Sequence, residues 1–280
     1  MARATGVTAQ SEREAAMTTA PSKWDDLKTR TLSSLFMIVV GAGEIWLGGP
    51  WFLALIVLVC GLMIWELVRM LTPGAESLAR GLGALSGLAV LIAIMAPSTL
   101  DVLALLTPLA AGIVLLARHR VIYALYAPVI LLAAYALVTL RDRDDGLTWL
   151  IWLVLVVVIT DVAGYFAGRM IGGPKFWPAV SPKKTWSGTI AGWIGAGALG
   201  AAFMPITGAG ATLILISMAT SFASQMGDIA ESAIKRKMGV KDSSRLIPGH
   251  GGVLDRFDGL IGAALLALVV MLLYGQVPAQ

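Results

Sequence analysis

The chain has 280 residues, 58% of them hydrophobic and only 14% charged, with a mean hydropathy of +0.82. Soluble domains carry roughly 25% charged residues, so these proportions exclude an ordinary soluble fold and indicate an integral membrane protein. The single cysteine, Cys60, lies in an apolar run, which excludes a disulfide framework and a cysteine metal site; the net charge of +4 is informative only once its placement is known, and no nucleic-acid partner is expected.

Residues 1–30 are polar and lack an apolar core and a small-residue cleavage site, so they do not read as a signal peptide. They read as a cytoplasmic tail over 1–20, then a short interfacial helix from Lys23 to Arg30 with Trp24 near the headgroups. Nine apolar runs follow, at about 31–48, 51–71, 82–96, 99–117, 122–140, 147–168, 187–205, 209–234 and 257–275. The expected fold is an all-α integral membrane protein of about nine transmembrane helices, with N-terminal spans over 31–140 and a C-terminal catalytic region over 141–280. The third run is short, and Gly81, Gly83 and Gly87 within it suit close helix packing.

Charge placement tests this count. With nine spans and the N-terminus in the cytoplasm, 19 of the 21 Lys and Arg residues fall on the cytoplasmic side, and only Arg141 and Arg143 lie outside it. A count off by one would destroy that asymmetry. The two richest loops, 169–186 and 235–256, then face the cytoplasm, where nucleotides are.

Several features have plain structural readings. Glu66 lies near a helix end, where it can snorkel or pair with Arg69, and Glu44 is expected to reach the surface. The series Gly195-Ala196-Gly197-Ala198-Leu199-Gly200 matches a dinucleotide-binding pattern but sits inside an apolar helix; with Gly188 and Gly192 it reads as a packing face. Asp142-Arg143-Asp144-Asp145-Gly146 begins like the CDP-alcohol phosphotransferase motif, yet neither the Ala-Arg nor the second aspartate pair follows, so it reads as a solvated loop.

Chemistry concentrates between Ser221 and Asp258, which hold four of the eleven aspartates and six of the 21 Lys and Arg residues. Ser221, Ser224 (or Gln225), Asp228, Glu231 (or Ser232) and Lys235 recur at steps of three and four and share one side of a helix. A water-facing helix end accounts for Glu231 and Lys235. It does not account for Asp228, which lies within the apolar run, where a carboxylate faces a polar cavity, an ion or a partner. Beyond the helix come Lys235-Arg236-Lys237, Lys241-Asp242, Pro248-Gly249-His250-Gly251-Gly252 and Asp255-Arg256-Phe257-Asp258. Lys and Arg neutralise phosphate oxygens, glycines allow close backbone approach to an anion, and aspartates are hard ligands for Mg²⁺. Asp161, set in the sixth run, and the segment Ser181-Pro182-Lys183-Lys184-Thr185-Trp186 form a second cluster suited to anion binding at a helix start. Both clusters lie on the expected cytoplasmic side, so they can converge on one polar cavity at the membrane boundary.

At these residues the chain resembles the phosphatidate cytidylyltransferases, also called CDP-diacylglycerol synthases. Ser232, Lys235-Arg236, Lys241-Asp242, Pro248 to Gly252, Asp255-Arg256 and Asp258 fill the family's C-terminal pattern without a gap, and Gly227-Asp228 and Ser181 to Trp186 match upstream elements. One departure is Ser187, where the family generally has Glu. The resemblance is clear from about 150 to 260 and rests on hydropathy before 140. It implies the reaction of CTP with phosphatidic acid to give CDP-diacylglycerol and pyrophosphate, Mg²⁺ dependence, a homodimer, and a bacterial cytoplasmic (inner) membrane. It further implies a catalytic set of Asp228, Lys235, Arg236, Lys241, Asp242, His250, Asp255, Arg256 and Asp258. The implied substrate-binding set is Asp161, Ser181, Lys183, Lys184, Thr185, Ser224, Ser232, Gly249, Gly251 and Gly252, and the implied metal ligands are Asp228 and Asp255. The competing readings are a CTP-dependent transferase acting on an archaeal ether-lipid phosphate, and a transporter of an anionic substrate.

Overall fold

An apolar chain in lipid must satisfy its backbone hydrogen bonds internally, and helices do so within each run. The computed structural model describes residues 23–97 and 100–274 and accordingly shows nine helices among them. These are α1 (Lys23–Leu47), α2 (Gly49–Leu71), α3 (Glu76–Met95), α4 (Asp101–Leu115), α5 (Arg120–Arg141), α6 (Gly146–Met170), α7 (Trp186–Thr207), α8 (Thr212–Lys237) and α9 (Leu254–Tyr274). Eight are long and apolar enough to cross a membrane, and the chain is an integral membrane protein. The expected tail over 1–20 and the side chain of Trp24 lie outside the described residues.

Several expectations change. The segment from Lys23 to Arg30 is not a separate interfacial helix but the first turns of the 25-residue α1. The short helix is the fourth, not the third: α3 has 20 residues, whereas α4 has 15 and is about 22 Å long at 1.5 Å per residue. Gly83 and Gly87 do lie against α2, at Gly61 and Val57, but Gly81 has open space beside it. The loop 169–186 is in part a two-stranded antiparallel ribbon, β1 (Lys175–Trp177) and β2 (Ser181–Thr185), in which Lys175 pairs with Thr185 and Trp177 with Ser181. Its base is held by ring packing of Phe176 on Trp186, with centroids 4.7 Å apart.

The buried core lies where α2, α3, α5 and α9 meet, with Ile64, Leu67, Tyr123, Ile130 and Leu254 inaccessible to solvent. Helix α9 packs on α5 on one side and on α8 on the other, joining the N-terminal and C-terminal halves. Helix α1 lies outside this core, touches α2 and α6, and leaves Leu35, Phe36, Ile38 and Val39 exposed. Its C-terminus is closed by Arg141 of α5, which donates from Nε to Ile45 O (2.8 Å) and from Nη2 to Trp46 O (3.2 Å). This satisfies carbonyls that a helix end leaves without partners and sets a cation at the negative end of its dipole. Glu44 does not simply reach the surface; it is half-buried, and its Oε2 has no hydrogen-bond partner.

Candidate functional site

The polar face of α8 turns inward over most of its length. Trp152 of α6 donates to Ser217 Oγ (3.0 Å) and Thr160 to Ser221 Oγ (2.7 Å), while Gln225 accepts from Trp193 (3.0 Å) and donates to Thr189 O (3.2 Å). Ser224 is buried as well. These bonds lock α8 against α6 and α7. The glycine series on α7 behaves as a packing face: Gly188 lies on Gly164, Gly192 on Thr160 and Gln225, and Gly200 on Ser217.

Asp228 is the carboxylate of this face that meets the opposite cluster. Lys184, from β2, reaches it with Nζ 2.5 Å from Asp228 Oδ2, and also lies 3.4 Å from Gln225 O. Ser232 donates to the other oxygen, Oδ1, at 3.2 Å. One turn on, Glu231 is fully buried rather than water-facing, and its Oε2 pairs with Lys235 Nζ at 2.5 Å. The same ammonium lies 2.6 Å from Asp255 Oδ1. Asp255 Oδ2 accepts from Ser243 N (2.9 Å), Ser243 Oγ (2.9 Å) and Gly252 N (2.7 Å). Asp255 is therefore enclosed by four donors.

Asp228, Glu231 and Asp258 place one carboxylate oxygen each within 4.8 Å of one another. Helical spacing explains this: Asp228 and Glu231 are one turn apart on α8, and α9 comes close enough to add Asp258. The approach depends on glycines. Gly227 lies against the Asp258 carbonyl and Gly262, and Gly262 against the Ala223 carbonyl, with no room for a Cβ at either. Glu231 Oε1 is buried and has no hydrogen-bond partner, so the group keeps an unused acceptor. Hard, convergent carboxylate oxygens of this kind fit a divalent cation such as Mg²⁺. Asp255, expected as the second ligand beside Asp228, is instead linked to this group through Lys235.

A cavity of about 350 Å³ opens beside Asp228, lined by Asp161, Arg169, Lys183, Lys184, Thr185 and Gln225. Thr185 is the N-cap of α7: its Oγ1 accepts from Gly188 N at 3.2 Å, so the helix start is partly satisfied by its own cap. Ser187 donates to Gly172 O at 2.5 Å and ties the start of α7 to the turn before the ribbon. Ser181 pairs with Trp177 at the ribbon's closed end. Arg236, Lys241, Asp242 and Arg256 are exposed and form no ion pair among the described residues.

The segment Pro248 to Gly252 is a tight turn, with Gly249 and Gly251 at φ of 76° and 84° and Ile247 N bonded to Gly251 O at 2.8 Å. Both ring nitrogens of His250 are taken by α1, with Ser33 Oγ 2.8 Å from Nδ1 and Ser34 Oγ 2.9 Å from Nε2. Glu66 neither snorkels nor pairs with Arg69, which bonds Glu76 at 2.7 Å; its carboxylate is fully buried against the loop that precedes α9. Sequence reasoning left Glu66, Ser33 and Ser34 out of the site. The signal for Glu66 was its position inside an apolar span; two serines in a helix carry no comparable signal.

Comparison with known proteins gives a consistent picture. Residues 28–274 match the family described as "Cytidylyltransferase family". A phosphatidate cytidylyltransferase from Brucella suis is 46% identical over 151 residues, covering 53% of this chain and 54% of the relative. The enzyme of the same name from Staphylococcus saprophyticus is 30% identical over 247 residues, covering 84% of this chain and 95% of the relative. That from Haemophilus influenzae is 46% identical over 132 residues, 44% of this chain and 45% of the relative. The chain thus spans about half the length of the Brucella and Haemophilus relatives in these matches, and nearly all of the Staphylococcus one.

Proposed function

The chain belongs to the cytidylyltransferase family, and from that premise we propose that it joins CTP to phosphatidic acid, forming CDP-diacylglycerol and pyrophosphate. The observation that supports this most directly is the carboxylate group of Asp228, Glu231 and Asp258, which Asp228 links through Lys184 to the 350 Å³ cavity. That volume lies within the ~300–1,000 Å³ usual for small-molecule sites. The relatives from Brucella and Staphylococcus are both named phosphatidate cytidylyltransferase.

The nucleophile is the phosphate monoester of the lipid, already ionised at neutral pH, so the reaction needs no strong general base. One of its oxygens attacks the α-phosphorus of CTP. The new P–O bond forms as the bond to the α,β-bridging oxygen breaks, and pyrophosphate leaves. The barrier is the approach of two polyanions, and catalysis consists of neutralising and aligning them. Asp228, Glu231 and Asp258 would hold Mg²⁺, whose chemistry there is to neutralise triphosphate oxygens. Lys183 and Lys184 line the cavity from the ribbon, Lys235 is held between Glu231 and Asp255, and exposed Arg236, Lys241 and Arg256 are free to supply further phosphate contacts. Asp255 orients Lys235. The acyl chains remain in the bilayer.

The site faces the cytoplasm in this reading, in the inner membrane of a bacterium, and the functional unit is a homodimer; mass measurement in a lipid nanodisc decides the last point. The central test incubates purified protein with labelled CTP, Mg²⁺ and phosphatidic acid. Labelled CDP-diacylglycerol is expected in amounts that depend on all three, and a folded sample that makes none overturns the proposal.

A further inference from the structure

Glu66 sits in the penultimate turn of α2, outside the charged motifs of the C-terminal half, and its side chain is wholly removed from solvent. Its two carboxylate oxygens accept four hydrogen bonds. Oε1 takes Ser244 Oγ (2.6 Å) and Val253 N (2.9 Å); Oε2 takes Ser243 Oγ (3.1 Å) and Leu254 N (2.7 Å). Three of the four donors come from the segment between α8 and α9, and the fourth, Leu254 N, from the first residue of α9. Val253 N and Leu254 N belong to the start of α9, where a helix leaves N–H groups without intrahelical partners and where its dipole favours an anion. Glu66 therefore caps α9 from a different helix, some 190 residues away in sequence. No room remains for a side chain at Gly252, where a Cβ would meet both Ser243 Oγ and Glu66.

The contact continues into the site. The Ser243 hydroxyl lies between Glu66 Oε2 (3.1 Å) and Asp255 Oδ2 (2.9 Å) and has a single hydrogen to share between them. Asp255 in turn holds Lys235 at 2.6 Å, and Lys235 holds Glu231 at 2.5 Å. An unbroken series of polar contacts thus runs from α2 to the carboxylate group on α8 and α9.

We propose that Glu66 is a positioning residue for the transfer reaction: it fixes the start of α9 and, through Ser243, the orientation of Asp255 and Lys235. This rests on the function proposed above. It also gives the N-terminal helices a task beyond spanning the bilayer, since they supply the fixed anion on which the loop is built.

Glu66→Gln tests it. Glutamine keeps one acceptor oxygen but turns an amide N–H₂ toward two donors, so about half of the contacts fail. Removing a partner one step behind a site commonly costs 10–100-fold. The variant is expected to lose at least about tenfold in kcat, with KM for CTP within about twofold of the parent because Glu66 touches no substrate, and Glu66→Asp is expected to recover part of the loss. Ser243→Ala is expected to lower kcat similarly, and the double variant to be no worse than the weaker single one, because both act through one path. Hydrogen exchange supplies a readout independent of turnover: amides of 243–254 should exchange faster in Glu66→Gln, while those of α5 do not change. Parent-like exchange in that segment, or losses that add in the double variant, overturns the inference. If Glu66→Gln does not fold, Ser243→Ala decides by the same kcat and exchange measurements. A parent protein that makes no liponucleotide would overturn the proposed function and leave the exchange result to decide the role of Glu66.

Discussion

Asp255 and Asp258 lie one turn apart on α9, yet their surroundings give them different work. Asp255 is buried and accepts from Lys235, Ser243 and Gly252, so it is an anchor. Removing one partner of a buried charge pair commonly costs about 3–5 kcal/mol. Asp255→Ala is therefore expected to lower thermal stability by an amount of that order as well as activity. Asp228 differs: its ion pair with Lys184 has side chains 33% and 24% exposed, and such pairs contribute no more than about 1 kcal/mol. Asp228→Ala and Asp258→Asn should then melt close to the parent while losing about 100-fold or more in turnover, with saturation shifted to higher Mg²⁺. Melting curves and Mg²⁺ titrations check both halves of this contrast. A parent-like melt for Asp255→Ala, or an unchanged Mg²⁺ requirement for Asp258→Asn, contradicts it. The sequence distinguished Asp228 because an aspartate in an apolar run has few bland explanations. It did not distinguish Glu231, because three basic residues follow within six positions and the helix end looked solvated. Burial of Glu231 comes from α9 folding over it, which is a tertiary contact.

That contact is made by elements, and glycines decide how closely α8 and α9 approach. At Gly227 an added Cβ would strike the Asp258 carbonyl and the backbone of Gly262, neither of which can move independently of its helix. Gly227→Ala is expected to push α8 from α9, separate Asp228 from Asp258, and abolish activity although glycine has no chemistry of its own. The matched control is Gly43→Ala on α1, which has nothing within 4 Å of the new methyl and should change stability by less than about 1 kcal/mol and activity not at all. Equal effects in the two variants would show that the loss reflects glycine removal in general and not this contact. Packing glycines were legible as spacings at 188, 192 and 195, because a helix repeats them on one face. The ribbon of β1 and β2 was not legible. Three- and five-residue strands rich in Lys and Pro show no alternation, and what stabilises them is the Phe176 ring on Trp186 and the turn fixed by Ser187. The ribbon matters to the site because it is the arm that carries Lys184 to Asp228.

At the scale of the whole molecule, the number of helices and their order followed from hydropathy, because lipid leaves a spanning chain no alternative to helices. The weak point in the count is α4, whose 15 residues are shorter than the ~20 needed to cross a bilayer upright. Its neighbours bear on the parity. Helices α3, α4 and α5 pack on one another, and helices joined by connections as short as 96–100 and Leu116 to His119 are usually antiparallel neighbours. With that reversal, the turn after α2 and the segment between α8 and α9 are expected on the same face, which is what the asymmetry of 19 of 21 basic residues requires. The structure adds a reason for one exception: Arg141 is held by the carbonyls that end α1. The expected orientation can be tested in a protein whose one native thiol, Cys60, is fully buried and silent toward reagents. Lys237→Cys, at the end of α8, should be protected from a membrane-impermeant maleimide in intact cells and labelled once the membrane is opened. Asp144→Cys, in the exposed turn after α5, should be labelled from outside in intact cells. The reverse pattern would place the carboxylate group away from cytoplasmic CTP and remove the premise on which the proposed reaction depends. Labelling of both from one side would mean that one of α6, α7 and α8 does not cross the membrane.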